Sequence, residues 1–290
     1  MLARTSVHTV AGGWKAGNRW TGRICVLGAL ALLGIPAVAA VEPASTDPIA
    51  PLPVVQAYEP IYLLFGADPE IAKFQVSLKT RLFDPSWDTP RAGQARDGLY
   101  FAYSQTTFWD LINESRPFVD SSYRPELFWL KDDLHPQWLT DRAELSWQAG
   151  LRHESNGQGE PDSRSFNVVY FRPSLAVDWT RRRFLRVVPT AWIYIGDLSD
   201  NPDIARYRGY GDVRVTGGKD DGLQVSLLGR AGSKFDRAFM QVDLSFPLSR
   251  VGTSGVRPFL HVQASTGYAE SLQDYRERDR RFLIGLSFVR

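Results

Sequence analysis

Lys73-Phe74-Gln75-Val76-Ser77-Leu78-Lys79-Thr80-Arg81-Leu82 puts Phe74, Val76, Leu78, Thr80 and Leu82 on even positions and Lys73, Gln75, Ser77, Lys79 and Arg81 on odd ones. Successive side chains of a strand point to opposite faces, so this stretch is a strand with one greasy face and one charged face. The pattern recurs further on, where Ala143, Leu145, Trp147, Ala149 and Leu151 oppose Arg142, Glu144, Ser146, Gln148 and Arg152. It returns in 185–195, in 242–246, and at the end with Phe282, Ile284, Leu286 and Phe288. Turns rich in Gly, Pro, Asp and Asn separate about twelve such strands, near 61–66, 73–82, 98–108, 123–131, 141–155, 164–178, 184–197, 206–217, 222–230, 237–247, 256–268 and 279–289. An even number suits a closed antiparallel ring. Alternation alone does not separate a membrane barrel from a soluble sandwich, whose polar face meets bulk water.

The N-terminus decides between them. Residues 1–39 carry Arg4, Lys15, Arg19 and Arg23 without an acid, then an apolar run from Ile24 to Ile35, then Ala37-Val38-Ala39. A basic start, a short apolar core and a small-residue cleavage site read as a secretory signal peptide, too short to cross a bilayer as a helix. Past it no apolar stretch approaches the ~20 residues a membrane helix needs. The expectation is therefore an all-β fold, a transmembrane antiparallel β-barrel of about twelve strands over 61–290. Residues 40–60, rich in proline, are expected to be a periplasmic lead-in without packed structure.

Composition narrows the function. In a chain of 290 residues, 43% hydrophobic and 23% charged content excludes a disordered, collagenous or coiled-coil protein. Cleavage after Ala39 removes four basic residues and no acidic one, turning the formal charge from +2 to −2. A nucleic-acid partner loses its only support. The single cysteine, Cys25, leaves with the signal, so neither disulfides nor thiol chemistry are expected.

Of the four histidines, His8 belongs to the leader, His135 precedes Pro136 in a turn, and His261 falls on the polar parity of its strand. His153 differs, because in Leu151-Arg152-His153-Glu154-Ser155-Asn156-Gly157 the apolar parity runs on through His153 to Ser155. One reading is a strand that has reached the headgroup zone, where polar residues cost little. Strand pairing offers another. A hairpin centred near Glu160 puts His153 opposite Asn167, which starts the apolar row Val169, Phe171, Leu175 and Val177. Directly opposed Cβ atoms stand about 5 Å apart, so the imidazole falls between the Ser155 hydroxyl and the Asn167 amide. Nucleophilic catalysis asks for such a base, with a third group to hold its tautomer. No Gly-x-Ser-x-Gly elbow occurs, which excludes the α/β-hydrolase route.

His153-Glu154-Ser155-Asn156-Gly157, Ser163-Arg164-Ser165-Phe166-Asn167, Asp200-Asn201-Pro202-Asp203-Ile204 and Gly267-Tyr268-Ala269-Glu270-Ser271-Leu272 together resemble the outer-membrane phospholipase A enzymes of Gram-negative bacteria. Tyr103-Ser104-Gln105 and Glu114-Ser115-Arg116-Pro117-Phe118 extend the likeness over most of residues 60 to 290. The resemblance implies calcium-dependent hydrolysis of phospholipid acyl esters at sn-1 and sn-2, as phospholipase A1 and A2, with lysophospholipase activity. It implies a homodimer in the cell outer membrane, active as a dimer, with its site toward the outer leaflet.

By the same likeness Ser155 is the nucleophile, His153 the base and Asn167 the orienting group, and the Gly157 N–H forms an oxyanion hole. Ser163, the Gln158 main-chain carbonyl and Ser115 of a second subunit would hold calcium. Glu160, where the family pattern has Asp, and Asp200 match a weaker second calcium site. Gln105 matches a polar residue at the dimer interface. The alternative from another class is a non-enzymatic porin or solute channel on a similar barrel. Many inward Arg, Glu, Gln and Asp side chains point instead to a filled interior.

Overall fold

A computed structural model describes residues 54–290 apart from 68–69, 87–95, 113–117, 135, 138 and 249–256. The expected leader, 1–39, most of the expected lead-in, 40–53, and Ser115 lie outside the described residues. The elements are β1 (Val55–Ala57), β2 (Ile61–Ala67), β3 (Glu70–Phe83), β4 (Gly98–Asp110), β5 (Phe118–Leu134), β6 (Ala143–Ser155), β7 (Ser165–Thr180), β8 (Arg183–Ile195), α1 (Ile204–Arg208), β9 (Gly211–Lys219), β10 (Gln224–Ala231), β11 (Ala238–Pro247), β12 (Phe259–Tyr268) and β13 (Arg278–Val289).

Strands β2 to β13 each pair antiparallel with their chain neighbours, and β13 closes onto β2 through Ile284 opposite Phe65 and Leu286 opposite Leu63. The result is a closed twelve-stranded antiparallel barrel, which removes the unpaired edges an open sheet would leave. The alternation of Lys73–Leu82 sets the two faces: Lys73, Gln75 and Ser77 are buried inside, while Val76 and Leu82 lie exposed outside. On β6 the same parity buries Arg152 and Glu154 and leaves Leu151 outward.

Charged groups are tolerated inside because they are paired. Lys73 Nζ donates to Gln263 Oε1 at 2.6 Å and to Glu270 Oε1 at 2.8 Å, and Arg281 Nη1 donates to Glu270 Oε2 at 2.7 Å. His261 and Gln263 both bond to Asp243. Tyr100, Phe128, Phe166, Tyr170 and Trp192 belong to one buried cluster, which Ile204, Leu272 and Tyr275 join from outside the strands. These networks join strands far apart in sequence across the barrel interior.

Two expectations are corrected. The end of the lead-in is packed: β1 pairs with Leu78–Thr80 of β3 on the side that β2 uses further along, and Tyr58 and Glu59 turn into the barrel. There the Tyr58 ring stacks 5.4 Å from Phe128 and its hydroxyl donates to Glu126 at 3.2 Å, while Glu59 accepts from Arg124 at 3.1 Å. Pro60, which cannot donate to a ladder, separates β1 from β2. The strand expected over 206–217 starts only at Gly211, because Ile204–Arg208 is helical. Arg208 Nη2 reaches Glu154 Oε2 at 2.8 Å, and Trp192 Nε1 and the Tyr194 hydroxyl both donate to the Gly209 carbonyl. Gly209 sits at φ +68 with the Ala231 carbonyl 1.9 Å from where a Cβ would stand, so only glycine ends the helix there.

Glu270 anchors the loop after β12. Burial would raise its carboxyl pKa, but Lys73 and Arg281 outweigh burial and hold it at about 2. Glu270→Gln leaves Lys73 without its full charge partner, and breaking a buried pair costs roughly 3–5 kcal/mol. The variant is expected to unfold more readily in detergent at pH 7. A carboxyl depressed in the fold stabilises it above the unfolded value of ~4.3. That stabilisation fades as pH falls from there through about 2, so the gap between variant and wild type should narrow across that window. An equal gap at pH 7 and pH 2.5 would contradict the ion-pair account.

Candidate active site

The hairpin of β6 and β7 places the outward polar group. Its register pairs His153 with Asn167 and Ser155 with Ser165, and His153 Nδ1 lies 2.9 Å from Asn167 Oδ1. An amide oxygen only accepts, so Nδ1 carries the proton and Nε2 keeps its lone pair. Ser155 lies two residues along on the same outward face. Around them the wall is apolar, with Leu151, Val169, Ile193 and Ile195 all exposed to the outside. An imidazole, a hydroxyl and an amide therefore stand together on an otherwise apolar surface.

The loop after Ser155 is built around Asn156. Strand parity turns this side chain inward, where it is 2% exposed. Its Oδ1 accepts from the Gln158 and Arg164 N–H groups at 3.2 and 3.0 Å. Its Nδ2 donates to the Asp162 carbonyl at 2.8 Å and to Gln273 Oε1 at 2.6 Å. Gly157 follows at φ +70, where a Cβ would meet the Tyr123 ring at 2.8 Å, so the chain passes over that ring only as glycine. Gly157 and Gln158 are exposed beside Ser155 in sequence.

Ser163 and Ser165 both donate to Asp200 Oδ2, at 2.8 and 3.1 Å, and Asn201 Oδ1 accepts the Ser165 N–H at 2.9 Å. The loop after β8 thus clasps the start of β7. The two hydroxyls and the carboxylate gathered there are hard oxygen donors, the atom type calcium takes. Glu160 stands exposed at the turn of its loop and shares no hydrogen bond with Asp200.

Gln105 faces outward on β4, opposite Tyr123, which in turn lies opposite Ser155. It accepts from the Tyr103 hydroxyl at 3.0 Å and donates to Thr107 Oγ1 at 3.2 Å, and the Thr107 and Ser121 hydroxyls share a hydrogen bond at 3.1 Å. This polar strip on the outer wall leads straight to Ser155. The structure thus gathers His153, Ser155 and Asn167 with Gly157, Gln158 and Ser163 on the adjoining loop and brings Asp200 to Ser163.

A family model described as phospholipase A1 matches residues 45–288. The chain belongs to the phospholipase A1 family. A relative from Neisseria meningitidis serogroup B is 33% identical over 223 residues, 74% of this chain and 54% of its own length. Phospholipase A1 of Escherichia coli K12 is 32% identical over 190 residues, 64% of this chain and 60% of its own. The chain therefore spans between half and two thirds of the length of these relatives.

Among solved structures, outer membrane phospholipase A from Escherichia coli superposes with a TM-score of 0.66 at 26% identity, covering 81% of this chain and 98% of that one. The Salmonella typhi outer membrane phospholipase dimer with bound calcium gives 0.66 at 25% identity, covering 81% and 92%. Family and closed barrel together make this an outer-membrane β-barrel protein.

Sequence pattern singles out neither Asp120 nor Gln273 and assigns Asn156 no role. Asp120 Oδ2 accepts from Ser271 Oγ, Leu272 N–H and Gln273 N–H at 2.8, 2.7 and 3.2 Å. No local pattern signals a partner about 150 positions away.

Proposed function

We propose that this barrel hydrolyses the acyl esters of phospholipids and lysophospholipids at its outer wall, as phospholipase A1 and A2. The observation that carries the reading is the 2.9 Å contact of His153 Nδ1 with Asn167 Oδ1 on the outward face, with Ser155 two residues away.

Ser155 Oγ attacks the ester carbonyl while His153 Nε2 takes its proton, and the Gly157 N–H donates to the oxyanion that forms. Collapse breaks the ester bond, and the departing lysophospholipid alkoxide takes the proton from His153. Water, deprotonated by the same nitrogen, then attacks the acyl-serine; the acyl–oxygen bond breaks, the fatty acid leaves and the Ser155 oxygen takes the proton back from His153. Asn167 holds the ring throughout but adds no full charge to the imidazolium.

Ser163, the Gln158 carbonyl and Ser115 of a second copy would hold calcium, with Glu160 and Asp200 as a weaker second site. Bound there, calcium would supply positive charge beside the developing oxyanion. The crossing of Gln105, Tyr123 and Ser155 on one outward row supports a homodimer that covers this face. A site on the lipid-facing wall at the far end from a periplasmic N-terminus faces the outer leaflet.

The test is hydrolysis of a defined phosphatidylcholine by refolded protein with calcium and with excess chelator. Fatty acid release that stops on chelation and returns with calcium is expected. Release indifferent to the chelator removes calcium from the mechanism, and no release at all removes the enzyme reading.

A further inference from the structure

The geometry points to Gln273 as a positioning residue that, through Asn156, lets the loop after β12 hold the 156–164 loop in its working shape. The inference rests on the proposed function in one respect: the Gly157 N–H and the Gln158 carbonyl are the loop's working groups.

Asn156 has two acceptor positions and two donor hydrogens, and all four are used. Three of these bonds, to Gln158, Arg164 and Asp162, stay within the loop. The Asn156 N–H adds a backbone bond to the Arg164 carbonyl at 3.0 Å. They shape a ring that has Gly157 and Gln158 on its outer side. A ring closed only on itself could still swing about its two strand ends. Two bonds to other loops oppose that: Ser163 donates to Asp200 at 2.8 Å on the far side of the ring, and on the Asn156 side Gln273, 117 positions away, takes the remaining Asn156 hydrogen at 2.6 Å.

Gln273 is itself held. Asp120, 4% exposed on the inner face of β5, accepts from Ser271, Leu272 and Gln273 in succession, and Leu272 packs in the aromatic cluster. The line from barrel wall to catalytic loop therefore runs Asp120, 271–273, Asn156, Gln158. Loss of a group that orients a metal ligand from behind typically costs roughly 10- to 100-fold in metal affinity or activity.

Gln273→Ala removes one bond and leaves Asn156 its other three, whereas Asn156→Ala would dismantle the loop and say nothing about its anchor. Gln273→Glu keeps an oxygen to accept the Asn156 hydrogen and serves as the conservative variant. Hydrogen exchange at the Gln158 and Arg164 amides in detergent micelles reads the loop without reference to activity. Gln273→Ala should speed it about five-fold or more, the scale of one net hydrogen bond. The same variant should lower kcat about ten-fold, with KM for a short-chain monomeric ester nearly unchanged, and raise the calcium concentration for half-maximal rate. Gln273→Glu should return both readouts most of the way to wild type.

Exchange and kcat unchanged in Gln273→Ala would overturn the inference, as would a Glu variant no better than Ala. The parent reading is judged separately by Ser155→Ala. If that variant hydrolyses like wild type, the catalytic assignment falls, while the exchange result still decides whether Gln273 anchors the loop.

Discussion

Ser155→Ala is expected to abolish phospholipid hydrolysis while the barrel still folds. The side chain lost is one hydroxyl on the outward face, and the pairing of residue 155 with Tyr123 and Ser165 is made by backbone groups that alanine keeps. Folding should show in the usual way for such barrels, as a heat-modifiable shift in electrophoretic mobility identical to wild type. Catalysis should fall by about four to six orders of magnitude, because loss of a triad nucleophile leaves only the binding and oxyanion contributions. Ser165, opposite it on β7, does not take its place, because its hydroxyl is committed to Asp200 at 3.1 Å. Turnover within ten-fold of wild type in a correctly folded variant would end the assignment of Ser155.

How much of this was legible in the sequence depends on how far apart the interacting residues lie. The strands could be read because parity is local: Lys73, Gln75 and Ser77 inside against Val76 and Leu82 outside needs ten residues and nothing else. The pairing of His153 with Asn167 could be read because a hairpin fixes its own register once its turn is placed. What lay beyond reach was set across the barrel. A three-residue β1 has no period to detect, and Tyr58 is ordered by Glu126 and Phe128, some 70 positions on. The helix Ile204–Arg208 interrupts a run that looks strand-like, because Arg208 finds Glu154 on β6. Asp120 looks like one more inward acid until its loop partners near 272 are in view. The family motifs mark Asn156 and Glu270 without disclosing their distant partners, Gln273 and Lys73, which no spacing along the chain reveals.

His153→Ala and Asn167→Ala are expected to differ by orders of magnitude although the two residues touch. Removing the imidazole removes the base proposed to take the Ser155 proton, and the loss should approach that of Ser155→Ala. Removing the amide leaves the base in place. What disappears is the oxygen 2.9 Å from Nδ1, which holds the proton on that nitrogen and the ring in its plane. The ring then divides its time between tautomers and orientations, and only a fraction present a bare Nε2 to the serine. One orienting hydrogen bond of about 1.5–3 kcal/mol corresponds to roughly 10- to 100-fold in rate. The neutral amide, unlike a carboxylate, stabilises imidazolium only weakly, so little more than orientation is at stake. Turnover of a defined phospholipid by the two variants at equal calcium separates the roles. Losses of the same size would show that Asn167 carries part of the charge stabilisation as well, and the division of labour between base and orienter would have to be redrawn.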